Sequence, residues 1–163
     1  MPRIAFDELP PDARLWIFAA ERPLSPAEKA RVLEETDGFI NEWMAQGVPL
    51  SAARDLRHGQ FVLVGVDERA AGVSGCSIDA LVRRMQQLES VLGLELINNG
   101  PVLYREGDAV VRVSRDRFAE LAAAGTVGPN TRVFDNTLTR VGDLLSGKWE
   151  VKAGDSWHAQ AFF

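Results

Sequence analysis

The segment Ala13-Arg-Leu-Trp-Ile-Phe-Ala-Ala20 is apolar on nearly both of its faces when read as a strand. Successive strand side chains point to opposite sides, so such a segment needs cover above and below and belongs in the middle of a fold. A second run, Phe61-Val-Leu-Val-Gly-Val66, is the longest apolar stretch. It has the length of a strand and is far too short to cross a bilayer.

Between the two runs the punctuation is helical. Arg22-Pro-Leu-Ser-Pro26 breaks the first strand. Ser25, Pro26 and Glu28 then supply an N-cap, a proline at the first helical position and a capping-box glutamate. Val32, Thr36, Phe39, Ile40, Trp43 and Met44 recur at helical spacing, and Gly47 is the expected stop. Two strands are expected at Leu50–Arg57 and Phe61–Asp67, joined by a His58-Gly59 turn. A second helix is expected from Ser77 to Leu92, with Ile78, Leu81, Val82, Met85, Leu88 and Leu92 in one stripe and Gly93 as its end.

The expected fold class is therefore α+β. A strand within Glu95–Glu106 would complete a ferredoxin-like β-α-β-β-α-β sandwich over residues 1–100. Residues 101–163 read as a smaller α+β extension packed on that core. Its expected pieces are a hairpin around Glu106-Gly107-Asp108, a helix capped by Ser114 and a strand at Arg132–Asp135. A helix capped by Thr139 and a last strand at Lys148–Val151 follow.

A length of 163 residues fits this as one core plus an appendage. The net charge of −5 disfavours nonspecific nucleic-acid binding, because no cation surplus exists to displace counterions from phosphate. One cysteine excludes an internal disulfide and a cysteine-rich zinc site, and no metal site is expected. The N-terminal run has no signal-peptide core, so a cytoplasmic chain with no membrane partner is expected.

That cysteine, Cys76, lies in Ser74-Gly-Cys-Ser-Ile-Asp79, between an apolar strand and a helix. Backbone N–H groups and the helix dipole at such a point can acidify a thiol, making it a nucleophile. The alternative is a small buried residue packing a helix start. The phosphatase spacing Cys-x5-Arg fails, since Val82 holds the arginine position. No P-loop and no Gly-x-Gly-x-x-Gly is present, so no cofactor is expected. His158, with Asp155 nearby in sequence, is the candidate base for a thiol mechanism. The other histidine, His58, reads as an exposed turn residue without a special task.

Five runs carry a resemblance: Phe6-Asp-Glu-Leu-Pro-Pro11, Arg14-Leu-Trp-Ile17, Phe61-Val-Leu-Val-Gly-Val-Asp67, Ser74-Gly-Cys-Ser-Ile-Asp79 and Asp155-Ser-Trp-His158. Through them the chain resembles a family of bacterial proteins of about this length, common in the Bacteroidetes group. Members are often labelled ABC transporter ATPases, and the resemblance brings no catalytic residues with it. The ATPase label conflicts with the missing phosphate loop and lysine. The stretch from Val113 to Phe134 is similar in rhythm to small GYF-like modules, without their defining aromatic motif.

The expected function is a non-catalytic binding or regulatory protein for a small ligand or a protein partner, a second copy of the chain among the possibilities. Its expected surface comprises Ser74, Gly75, Ser77 and Asp79 together with Trp149 and Trp157. The alternative is a thiol-dependent enzyme using Cys76, His158 and Asp155.

Overall fold

A computed structural model describes residues 4–163. In chain order the elements begin β1 (Arg14–Ala19), α1 (Pro26–Glu42), β2 (Met44–Ala45), β3 (Val48–Pro49), β4 (Ser51–Arg57), β5 (Phe61–Asp67) and α2 (Gly75–Leu92). There follow β6 (Val102–Glu106), β7 (Ala109–Val113), α3 (Arg115–Ala123), β8 (Arg132–Phe134), α4 (Val141–Leu145), β9 (Glu150–Lys152) and α5 (His158–Phe162). The fold is α+β, as expected, with antiparallel sheets.

Strands β1, β5 and β4 form one sheet in that order, and β7, β6, β8 and β9 form a second. The sequence alternation of β1 and β5 explains the layering. Phe18, Val62, Val64 and Val66 pack with Val32, Ile40, Leu81, Met85 and Leu88 of α1 and α2. Leu15, Ile17, Ala19, Phe61 and Leu63 face the other way, onto Leu103, Phe134 and Trp149 of the second half. Beyond the second sheet, Val102, Tyr104 and Val133 pack on Phe118 of α3. The order is thus helices, sheet, sheet, helices. Both faces of β5 are covered, which is what a run without a polar face requires.

The strand within Glu95–Glu106 forms, at Val102–Glu106, but not where a four-stranded ferredoxin-like sheet would place it. It pairs with β7 and β8 in the second sheet. Val102 and Tyr104 need cover on one face and Leu103 on the other, and a central place in the second sheet gives both. Beside β1, the described residues form an isolated bridge, Arg14 opposite Arg140, and scattered backbone links. Leu15 N–H donates to Thr139 C=O, and Glu21 N–H donates to Glu95 C=O.

Three element boundaries differ from expectation for physical reasons. Helix α1 carries the full Ser25–Glu28 capping box but ends at Glu42, before Gly47. Gln46 and Gly47, with φ of 52° and 79°, instead make the two-residue tip between β2 and β3. Helix α2 starts at Gly75 because Ser74 and Ser77 form its capping box, and it ends at the left-handed Gly93. Thr139 does not cap α4. The N-cap is Arg140, and the Thr139 backbone is docked on β1.

Candidate functional site

A concavity lies along β4, the edge strand of the first sheet. It encloses about 560 Å3 and is walled by Phe6, Leu9, Val141 and Leu145, with Arg54, Asp55 and Arg57 contributed by β4. That volume falls within the roughly 300–1,000 Å3 of ligand clefts. Ile4 donates its N–H to the Ala52 carbonyl at 3.2 Å, which lays the N-terminal stretch against β4. Leu9 then drops onto the glycine of β5, where a Cβ on Gly65 would lie 2.3 Å from Leu9 Cδ1. The far wall is α4, whose Leu145 is 67% exposed.

Both arginines of the cleft are paired, and the exposed Asp7 adds a carboxylate to its lining. Arg54 forms two hydrogen bonds to Asp37, at 2.7 and 2.9 Å. Arg57 pairs with Asp55 at 2.9 Å and lies over the Phe6 ring, 5.5 Å from its centre. Paired guanidinium groups thus stand beside the half-buried Phe6 and the exposed Leu145. Sequence reasoning missed this site. The signal available was the charge of Arg54, Asp55 and Arg57 within a strand, a composition typical of sheet edges.

The Ser74–Asp79 segment borders a smaller hollow of about 270 Å3, shared with Ala45, Gln46 and Val48 of the β2–β3 hairpin. Ser74 and Ser77 are occupied with each other: the Ser77 N–H donates to Ser74 Oγ, and the Ser74 N–H donates to Ser77 Oγ. Ser77 is buried, whereas Gly75 and Asp79 are exposed. Trp43 reaches the same turn and donates from Nε1 to the Ser77 carbonyl at 2.9 Å. Cys76 is exposed, on the first turn of α2. The alternative of a buried packing cysteine is therefore not what forms.

His158 lies on the opposite outer layer. It is buried, stacked on Trp157 with ring centres 3.8 Å apart, and close to Phe118 and Phe162. Its Nδ1 shares a hydrogen bond with Ser156 Oγ at 2.6 Å. Burial pushes the imidazole down to about 4, a shift that the nearby Asp135 carboxylate opposes. Asp155 is exposed in the preceding 3-10 turn and is not a partner of His158 among the described hydrogen bonds. The structure does not bring Cys76 and His158 together, because two sheets separate their layers.

Nor do the two tryptophans form one surface. Trp149 is 5% exposed, with its Nε1 donating to Asn136 Oδ1 and its ring against Phe61 and Phe134. Its expected role at a binding surface is corrected to core packing between the sheets. Trp157 is half-buried under the Arg115 guanidinium, 4.9 Å from the ring centre. His58 is exposed in the β4–β5 turn, as expected, and it also borders the sheet junction. Its ring meets Phe61, Phe134 and Trp149, and its Nδ1 faces Arg105 at 3.3 Å.

Among the described residues no cluster of three or more histidine, cysteine or carboxylate side chains could hold a metal ion. Among the same residues, no helix is long and apolar enough to cross a membrane. In comparison with known proteins, no family model matches the chain, and neither a curated protein nor a solved structure matches it.

Proposed function

We propose that the chain is a non-catalytic binding protein of the cytoplasm, with its seat for a small ligand or a protein partner in the cleft along β4. The observation that carries this reading is the combination of about 560 Å3 of open volume with apolar walls at Phe6 and Leu145 and paired arginines. The first half is read as a ferredoxin-like sandwich lacking its fourth strand, with the second sheet covering the face such a sandwich leaves open. A single unpaired cysteine fits a reducing compartment. Kinship with the Bacteroidetes-type family is proposed on the five sequence runs alone.

A fragment screen by amide NMR tests the reading. Bound fragments are expected to shift Phe6, Arg54 and Leu145, and Leu145→Asp is expected to abolish those shifts. Hits that gather elsewhere on the molecule would overturn it. A thiol-dependent activity is favoured by one observation, the exposure of Cys76 on the first turn of α2. His158 is not placed to serve as its base.

A further inference from the structure

We infer that the cleft receives its partner as an extended peptide segment that hydrogen-bonds to the outer edge of β4, an inference that rests on the binding reading above. The backbone of β4 determines which groups are offered. Ala20 N–H donates to Gln60 C=O, so the even-numbered residues of β5 bond towards β1 and the odd-numbered ones towards β4. Phe61, Leu63 and Gly65 therefore engage Arg57, Asp55 and Ala53. Ala52, Arg54 and Leu56 turn their N–H and C=O groups away from the sheet.

Two of those outward groups are already used, and their use confirms the direction. Ala52 C=O accepts from Ile4 N–H, and Leu56 N–H donates to its neighbour Asp55 Oδ1 at 2.9 Å. The Arg54 N–H and C=O and the Leu56 C=O have no partner among the described residues. Arg54 lines the cleft, and Leu56 lies between the lining residues Asp55 and Arg57. The chain's own N-terminal stretch thus shows that this edge accepts backbone, and the unpaired groups continue the same line.

The walls select the occupant. A strand laid beside Arg54 presents alternate side chains to the two faces of the sheet. One set meets Phe6 and Leu145, which calls for apolar residues at every second position. Arg54 and Arg57 are already neutralised by Asp37 and Asp55, so a strongly acidic segment gains little. The partner is an extended, alternating apolar–polar segment of another protein.

A library of random 12-residue peptides, panned against the full chain, supplies the probe. Selected peptides are expected to alternate apolar and polar residues and to lose binding to Leu145→Asp. Arg54→Ala keeps the backbone donor and Arg54→Pro removes it, and proline is tolerated on a sheet edge where its nitrogen faces outward. Binding is expected to be about tenfold weaker to R54P than to R54A, the equivalent of one lost hydrogen bond.

Equal affinity for R54A and R54P, with binding still lost in Leu145→Asp, overturns strand pairing and leaves the cleft standing. Binding that Leu145→Asp does not touch overturns both. A concentration-dependent dimer abolished by R54P assigns the edge to a second copy and overturns the peptide partner. A library without binders overturns strand pairing and leaves the small-ligand form to the fragment screen. If R54P does not fold, hydrogen exchange at the Arg54 amide decides: slowing on peptide binding supports the pairing, and unchanged exchange overturns it.

Discussion

Arg105 of β6 reaches across the sheet junction to place its Nη2 3.3 Å from His58 Nδ1, while its Nε bonds Glu150 of β9. A guanidinium can only donate, so His58 Nδ1 must accept, and the neutral ring carries its proton on Nε2. Burial lowers the His58 pKa, and the Arg105 charge lowers it further. NMR titration is expected to find His58 below 6.5, with Nε2 protonated at pH 7. Arg105→Gln is expected to raise that value. A pKa at or above 6.5 in the parent protein contradicts the contact.

His158 links acidity to stability more strongly. Its folded pKa of about 4 lies below the unfolded value of about 6.5, so the unfolded chain binds more protons in the interval between them. Its contribution is whole above pH 6.5 and is lost as pH falls towards 4. From pH 6.5 to 5 the loss is about 2 kcal/mol. Denaturant melts across that range check it, and His158→Gln is expected to flatten the slope. An unchanged slope would show that the titration belongs elsewhere.

The inner core joins the two sheets through Phe61, whose ring lies 4.8 Å from Phe134 and 4.9 Å from Trp149. Phe61→Ala is expected to cost about 3–5 kcal/mol, against less than about 0.5 kcal/mol for the exposed Leu145→Ala. A polypeptide ending at residue 100 would leave Leu15, Ile17, Phe61 and Leu63 uncovered. It is expected to lack a cooperative thermal transition by calorimetry. A sharp transition there would show that the first half folds without its cover.

Much of this architecture is legible in residue patterns. Ser25, Pro26 and Glu28 announce α1, and the unbroken apolar run Phe61–Val66 announces a strand covered on both sides. What sequence does not display is which sheet a strand joins. Val102–Glu106 suits either, and the decision rests on Tyr104 and Leu103 finding different cores. The cleft is hidden for a similar reason: Phe6, Arg54 and Leu145 are far apart in the chain, and only the folded backbone puts them around one volume. The Ser74–Asp79 turn drew attention through its lone cysteine, yet its serines are spent on capping the helix.

Cys76 separates the thiol reading from the binding reading. Exposure predicts that iodoacetamide alkylates it in the native protein without denaturant. Cys76→Ser is expected to change stability by less than about 0.5 kcal/mol, as for other surface positions. Protection until denaturation would contradict the exposure.

The most direct test of the central claim follows backbone amides while a fragment or selected peptide is added to saturation. Shifts concentrated at Phe6, Arg54, Leu56, Val141 and Leu145, and absent in Leu145→Asp, are the predicted result. Shifts confined to Gly72–Asp79, or spread without a focus, would contradict a binding seat along β4.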